Sequence, residues 1–508
     1  MRQIIIGSIL LIFASASFAQ TETLSLHQAL ILGMQNNFDL RISSLDVERA
    51  DAGIMGEQGR FDVLAELALG VSRDELPVDS TPVDSTLVAE DLVITDRANA
   101  EAALSKTFAT GLETRISLTG ERNDTDVLAD QLDPAYRTYL VLDFTQPLLK
   151  DMGVDINTTS LQVAKTRQQQ ALLGYLGQAQ QLAAEIELAY LNLVQADEEY
   201  RYAILARDLA QELLDGNQRK LNAGLVPVTE VNEARSAMAG REENMLLSEQ
   251  KMTLARNQLL DLIAQGDAQL PEDWQTELPQ VTELQAPDLS EALAIGFAKR
   301  PDLQQARLEI ENRKVALVYA ENQRLPRLDL EASLGVNGLS GDGDNTRYDG
   351  QWHASASRAF EQDGSSWYAG LRFSVPLQNR TAKAKYRDAA AQDKQSLYRL
   401  RRAEIAAETV IRSAHAVLDL GRDRLEVAKR YAALAQTTLD QENRRLQEGL
   451  SNSFRVLTFQ NSLVEAKIRE VSAKTDYYRA WTRLYQAMGT NLERYNIVAA
   501  LPHEGVTP

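Results

Sequence analysis

Cysteine is absent from all 508 residues. That excludes a disulfide framework, a thiolate metal site, a thiol nucleophile and an acylated N-terminal cysteine. Histidine is nearly as scarce. The four residues His27, His353, His415 and His503 are too scattered to build a metal centre or an acid–base pair, and His27 and His415 fall in helical patterns where a structural role is expected. Basic charge is in deficit, with 53 Lys and Arg against 72 Asp and Glu and a net charge of −19, so little would neutralise the phosphates of a nucleic acid. No run of 18 apolar residues occurs, which excludes a transmembrane helix. There is no His/Ser/Asp constellation and no glycine-rich phosphate loop. The expectation is a protein that is not an enzyme, with no cofactor and no metal.

What is present has globular proportions, 44% hydrophobic and 25% charged. The first 19 residues read as a secretory leader: Arg2, then an apolar stretch from Ile4 to Phe13, then Ser17-Phe18-Ala19 before Gln20. The mature chain is therefore expected to be exported, and to be either soluble or inserted in a membrane through strands.

The rest is a tandem repeat. Leu26, Ala29, Leu30, Asp39 and Leu40 match Leu289, Ala292, Leu293, Asp302 and Leu303. FTQPLL (144–149) matches FSVPLQ (373–378), and AGLVPVTEV (223–231) matches EGLSNSFRV (448–456), in the same order. Such ordered matches mark a duplicated unit. The expected division is a leader (1–19), a first repeat (20–264), an inter-repeat linker or equatorial region (265–288), a second repeat (289–488) and a tail (489–508). Each repeat reads as a helix of about 35 residues, a strand region (about 61–147, then about 328–377) and a long helical hairpin with its tip near 224 or 449.

The hairpin helices carry a coiled-coil period. Leu172, Leu176, Ala179, Ala183, Ile186, Tyr190 and Leu193 step alternately by four and three, as do Ala403, Ala407, Val410, Ala414, Val417, Gly421, Leu425, Ala428, Ala432, Ala435 and Leu439 but for one repeated four. Roughly 65–70 helical residues on each ascending arm make a rod of about 100 Å, longer than a compact domain needs. Gly224 and Gly449 follow Arg219-Lys220 and Arg444-Arg445, the pattern of a left-handed C-terminal cap with cations at the negative helix end.

Residues 98–119, 136–145, 328–337, 351–360 and 367–376 alternate with a period of two at lengths that suit strands crossing a bilayer at a tilt. Tyr136, Tyr139, Phe144, Trp352, Phe360, Trp367 and Tyr368 cluster near segment ends, where interfacial aromatics are expected. PVDSTPVDST (77–86) and NGLSGDGDNTRYDG (337–350) read as mobile loops. Asp342-x-Asp344 lacks the bidentate Glu of a calcium loop, since His353 stands at the twelfth position. Strands in lipid must close into a barrel, and one chain offers too few for a wide pore, so several chains are expected to share one.

The leader, the duplicated strand and helical-hairpin order, the FTQPLL and FSVPLQ junctions and the GLVPVTEV and GLSNSFRV turns resemble the TolC-like outer membrane efflux proteins over about residues 24–490. The resemblance implies a mainly α fold with β: helical hairpins forming a trimeric α-barrel in the periplasm of a Gram-negative cell, and four strands per chain in a shared twelve-stranded outer-membrane β-barrel. It implies a homotrimer whose hairpin tips close the tunnel and meet an adaptor protein bound to an inner-membrane pump, for drug efflux or type I secretion. Two departures stand out. The first strand region is long, with room for an extra hairpin at Thr110-Gly111. The acidic pair that the family can carry after the second turn is replaced by Arg455 and Thr458, whereas Glu230 and Glu233 occupy the matching places after the first. Three copies of that pair would form a ring of six carboxylates; equally, both suit the positive end of a helix. Arg455 is expected to pair with either acid. Gly224, Leu225, Gly449 and Leu450 are the expected adaptor contacts. The competing expectation is a soluble periplasmic coiled-coil adaptor or scaffold.

Overall fold

A computed structural model describes residues 22–77, 92–125, 132–265, 274–278, 286–343 and 347–498. The leader, most of the 77–86 loop, Asp344, His503 and parts of the linker and tail lie outside the described residues.

The chain begins with β1 (Glu22–Leu24), α1 (Leu26–Asn36) and α2 (Phe38–Gln58). Four strands follow: β2 (Val63–Pro77), β3 (Leu92–Thr107), β4 (Glu113–Thr125) and β5 (Ala135–Pro147). A short helix α3 (Val154–Asn157) precedes the hairpin of α4 (Thr159–Asn222) and α5 (Val228–Ile263). The second half runs β6 (Trp274–Thr276), α6 (Leu289–Lys299), α7 (Pro301–Asn322), β7 (Arg327–Gly341), α8 (Trp352–Phe360) and β8 (Gly364–Ser374). It ends with the hairpin of α9 (Arg380–Gln447) and α10 (Ser453–Met488), then α11 (Asn491–Arg494). The described residues divide into a helical unit (22–45, 172–304, 402–498) and a strand unit (46–171, 305–401).

In the helical unit the duplication is visible as packing. Gly33 on α1 and Gly296 on α6 occupy equivalent places in the two repeats. A methyl group at Gly33 would lie 2.2 Å from Ile186 on α4, and one at Gly296 would lie 2.4 Å from Ile411 on α9. In each repeat, then, a helix lies against the ascending arm so closely that an added methyl would have to displace the end of a buried isoleucine side chain. Around Ile411 the core holds Ala292, Leu418, Trp481, Leu484 and Met488. In the first repeat, Leu30, Ile186, Tyr190, Leu259 and Ile263 are fully buried.

The seam on α9 is corrected by one position. Ala407, Ala414, Leu425, Ala432 and Leu439 are buried as the heptad requires, but Ile411 and Leu418 face the core in place of the exposed Val410 and Val417. An untwisted helix drifts from a strict seven-residue repeat. The leading helix of about 35 residues is also corrected to two. Asn37 has extended backbone dihedrals and its side chain accepts the Leu40 amide at 3.1 Å, which starts α2 anew. In the second repeat Arg300 is extended before Pro301, as the residue preceding proline prefers.

The linker contributes β6, which pairs in parallel with β1. Tyr190 holds the pair. Its hydroxyl lies 2.8 Å from the Leu24 and Glu277 carbonyls and accepts the Glu277 amide at 3.1 Å. Burial pushes this phenol up to about 12.

The strand unit is one antiparallel sheet in the order β2-β3-β4-β5-β7-β8. The implied four strands per chain are corrected to six. The Thr110-Gly111 turn joins two strands of the sheet: Gly111 has φ 90°, and the Phe108 amide donates to the Leu112 carbonyl at 2.8 Å. Residues 351–360, read as a strand, form α8, and 337–341, read as loop, complete β7.

Candidate functional sites in the sheet and at the hairpin turns

The strand registers assign every side chain to one of two faces, because the pleat alternates. On one face lie Val63, Ala65, Leu67, Leu69 and Val71 of β2, Ala98 to Leu104 by alternate residues of β3, Ile116 and Leu118 of β4, and Leu140, Leu142 and Phe144 of β5. Leu328, Leu330, Ala332, Leu334 and Val336 of β7 and Trp367, Ala369, Leu371 and Phe373 of β8 complete it. This apolar face is bare at its edges: Leu67 and Leu69 are 74% exposed, Val71 87% and Trp367 79%. Charges flank the apolar band. Arg73 is held by Asp96 at 2.8 Å and Arg122 by Asp124 at 2.5 Å toward the loop end, and Lys106 sits over Phe108 at the helix end. Nine residues of strand tilted by about 40° cover about 23 Å, close to the apolar height of an outer-membrane barrel.

The opposite face is polar and cross-linked by charge. Arg115 reaches Glu66 at 2.7 Å and Glu101 at 2.8 Å, Arg97 reaches Asp74 at 2.9 Å, and Arg372 reaches Glu331 at 2.6 Å.

The aromatic residues divide between the faces. Tyr136, Phe144 and Trp367 lie on the apolar one. Tyr139 and Tyr368 lie on the polar one, since odd spacings from Tyr136 and Trp367 reverse the side. Trp352 and Phe360 stand at the two ends of α8 rather than in a strand. This helix packs on the apolar face near its loop end. Ser355 donates from Oγ to the Gly338 carbonyl at 2.9 Å or to Thr138 at 3.0 Å, and a Cβ at Gly338 would lie 2.0 Å from the Ser355 carbonyl. Trp352 lies over Gly120 with its ring 5.5 Å from that of Tyr136.

Both hairpin turns close with left-handed glycines, Gly224 at φ 70° and Gly449 at φ 76°. The Leu225 amide donates to the Lys220 carbonyl at 2.9 Å and the Leu450 amide to that of Arg445 at 2.8 Å, satisfying the last carbonyls of α4 and α9. Leu225 and Val228 at one turn and Leu450 and Phe454 at the other project into solvent.

The four gate candidates do not come together. Glu230 is half-buried, with its carboxylate 3.3 Å from Ser453 Oγ and its carbonyl accepting from Asn217 at 3.4 Å. Glu233 is exposed. Thr458 donates to its own helix at Phe454 (2.9 Å). Arg455 pairs with neither Glu230 nor Glu233. Its partner within the chain is Glu442 on α9, at 2.9 Å, and its guanidinium lies over Phe459. Ser453 Oγ also lies 3.1 Å from Asn217 Oδ1.

Asn217, Glu442 and Ser453 are therefore the tip residues that sequence reasoning missed. Asn217 was legible as a polar residue continuing the buried stripe of Ala203, Ala206 and Ala210. Glu442 required the turn geometry. Its carboxyl is held below the usual range, first by the Ser451 hydroxyl and then by Arg455 and Arg445. A depressed folded pKa stabilises above the unfolded value and ceases to do so as pH falls through the folded one. Amide protection at 449–456 is thus expected to be full at neutral pH and to decline below about pH 4.3. In Glu442→Gln the protection is expected to show no such acid step, and an unchanged step would assign it to another group.

Comparison with known proteins follows the same lines. Residues 293–490 match the family model for outer membrane efflux proteins. Outer membrane protein TolC of Escherichia coli is 23% identical over 326 residues, which are 62% of this chain and 63% of the length of that protein. Its namesake in Vibrio cholerae is 22% identical over 344 residues, 66% of this chain and 74% of its own. The outer-membrane channel OprN superposes with a TM-score of 0.65 at 16% identity, covering 92% of this chain and 90% of its own. The Campylobacter jejuni CmeC outer membrane channel gives 0.64 at 16% identity, covering 96% and 94%. The fold is that of the outer-membrane channels, mainly helical with a strand domain. Over residues 293–490 the sequence is that of the outer membrane efflux proteins, and the chain as a whole is similar to TolC in sequence and to the outer-membrane channels in fold.

Proposed function

We propose that this chain is the outer membrane channel of a tripartite efflux or type I secretion system, a passive homotrimeric duct from periplasm to exterior. The observation that carries the reading is the two-faced sheet, with an apolar band on one side and a charge-paired surface on the other. A soluble scaffold would leave that band against water, where a patch so large promotes aggregation. In lipid it is the required exterior.

The leader over 1–19 delivers the chain to the periplasm. The hairpins form the periplasmic barrel. Val410, Val417, Leu420, Val427, Tyr431 and Leu434 on α9 are exposed at heptad-like intervals, which supports packing against a helix of a neighbouring copy. The exposed Leu225, Val228, Leu450 and Phe454 at the turns suit the adaptor, through which the pump is reached.

At the tips Ser453 links the second hairpin to Asn217 and Glu230 of the first. Opening is a splaying of hairpins that breaks these links. Glu233, exposed, is the acid available for a ring of carboxylates, while Glu230 is committed to Ser453. With the net charge of −19, such a ring favours cations. Removing the link in an Asn217→Ala, Ser453→Ala variant is expected to release about 1–2 kcal/mol of closure, a roughly tenfold shift toward the open form.

Single-channel conductance in planar bilayers tests the reading. Low-conductance, cation-preferring pores are expected, with the double variant open far more often. Anion selectivity would overturn the charge argument, and protein that washes from the outer membrane with salt and forms no pores would favour the scaffold.

A further inference from the structure

The six-strand sheet ends in two strands that pair on one side only. Among the described residues nothing occupies the outer edge of β2 or of β8, and both strands are exposed on both faces along most of their length. Soluble proteins blunt such edges with charge, proline or bulges. Here Val63–Ser72 carries a single charge, Glu66, directed to the polar face, and Gly364–Ser374 carries only Arg372, on the same face. Neither stretch contains proline. Over these stretches the edges lack what would prevent pairing, and the remaining charges of β2 (Arg73, Asp74, Glu75) and its Pro77 lie beyond them at the loop end.

Three features say what pairs with them. The strands alternate in direction across six positions, so β2 and β8 run in opposite senses, and the β8 edge of one copy meets the β2 edge of the next as an antiparallel ladder. The faces match: odd-numbered residues of both strands are apolar (Val63, Ala65, Leu67, Leu69, Val71; Trp367, Ala369, Leu371, Phe373) and even-numbered ones largely small or polar. A slip of one residue would turn one strand over, so the register must pair odd with odd. Finally, six strands are too few to enclose a lumen alone, and an open edge cannot face lipid.

We propose that β2 of each copy pairs with β8 of the next and that every copy gives all six strands to the barrel. Resting on the trimeric reading above, this makes the duct eighteen-stranded, not twelve-stranded as the resemblance implies. The extra strands are a hairpin built into the first repeat. At about 4.8 Å between strands and a tilt of about 40°, the backbone diameter rises from about 24 Å to about 36 Å. An eighteen-stranded barrel leaves an aqueous channel. The α8 helix does not obstruct it, because α8 packs on the apolar face. In this barrel three copies of α8 lie outside, with Trp352 and Phe360 at the level of the lipid headgroups. The outer exit therefore passes solutes too wide for a twelve-stranded barrel.

The absence of cysteine makes the test clean. Ser72→Cys and Ser366→Cys place thiols on the polar face of β2 and β8, and Ser117→Cys places one on β4. The full-length chain in outer membranes is treated with a flexible bis-maleimide. The Ser72/Ser366 pair is expected to convert most of the protein to covalent trimers, whereas Ser117/Ser366 stays largely monomeric on denaturing gels. Trimers from Ser117/Ser366 and none from Ser72/Ser366 would mean that β4 is the terminal strand of a twelve-stranded barrel, which overturns the inference and leaves the duct standing. A chain that is monomeric by mass in detergent and unlinked by either pair would overturn both.

Discussion

Trp481→Ala is expected to destabilise the helical unit by about 3–5 kcal/mol, the range for removing a large buried aromatic. Trp481 is buried on α10 among Ala292, Ile411, Leu418 and Leu484, its ring 5.8 Å from that of Tyr485 and 6.3 Å from that of Tyr477. It thereby joins α6, α9 and α10. The close-packed neighbours refill the lost volume only in part, so a cavity term adds to the lost burial. Among the described residues the indole nitrogen has no partner, so the stabilisation is packing rather than hydrogen bonding. Trp481→Phe should accordingly cost less than half as much, as it keeps an aromatic ring and removes a buried unpaired donor. Urea unfolding followed by far-ultraviolet circular dichroism measures both. Equal losses in the two variants would show that packing volume is not what Trp481 contributes.

The duplicated unit and its turns were legible because they rest on local rules. A left-handed cap favours glycine, so Gly224 and Gly449 announce the turns. Alternation announces β3, β4, β5, β7 and β8. The same rules fail where two periods agree. In 352–360 small residues are spread so evenly that a strand reading is available, yet the helical period puts Ser355 and Ala359 on one side, where they meet Gly338. No local rule reports that a strand glycine is waiting beneath. The α9 seam was displaced because Val410 and Ile411 are both apolar, and only the neighbouring α6 decides which turns inward. The Arg455–Glu442 pair spans a turn, so its partners are adjacent only once the hairpin is closed. The two faces of the sheet were implicit in the alternation. Assigning Tyr139 and Tyr368 needed the register, which strand pairing alone supplies.

The strongest consequence of the sheet is a difference between two adjacent residues. Leu334 and Ser333 lie near the middle of β7. Leu334 stands on the apolar face beside Leu142 and Trp367, and Ser333 stands on the polar face beside Asp143 and Tyr368. Leu334→Arg is expected to cost about 2–4 kcal/mol per chain for a cation at the bilayer midplane. In a trimer the penalty applies at three places on one barrel. That total approaches the stability of a whole domain, so the variant should be missing from the outer membrane and recovered as aggregate. Ser333→Arg adds the same side chain one residue earlier, in water and opposite Asp143. It should insert normally and shift ion selectivity away from cations. Fractionation of the two variants, with conductance for the second, separates the faces in a way that stability alone does not. A general intolerance of arginine in β7 would remove both proteins from the membrane. Loss of Ser333→Arg with retention of Leu334→Arg would turn the barrel inside out. Only loss of Leu334→Arg alone follows from a sheet whose apolar side meets lipid and whose charge-paired side lines the passage.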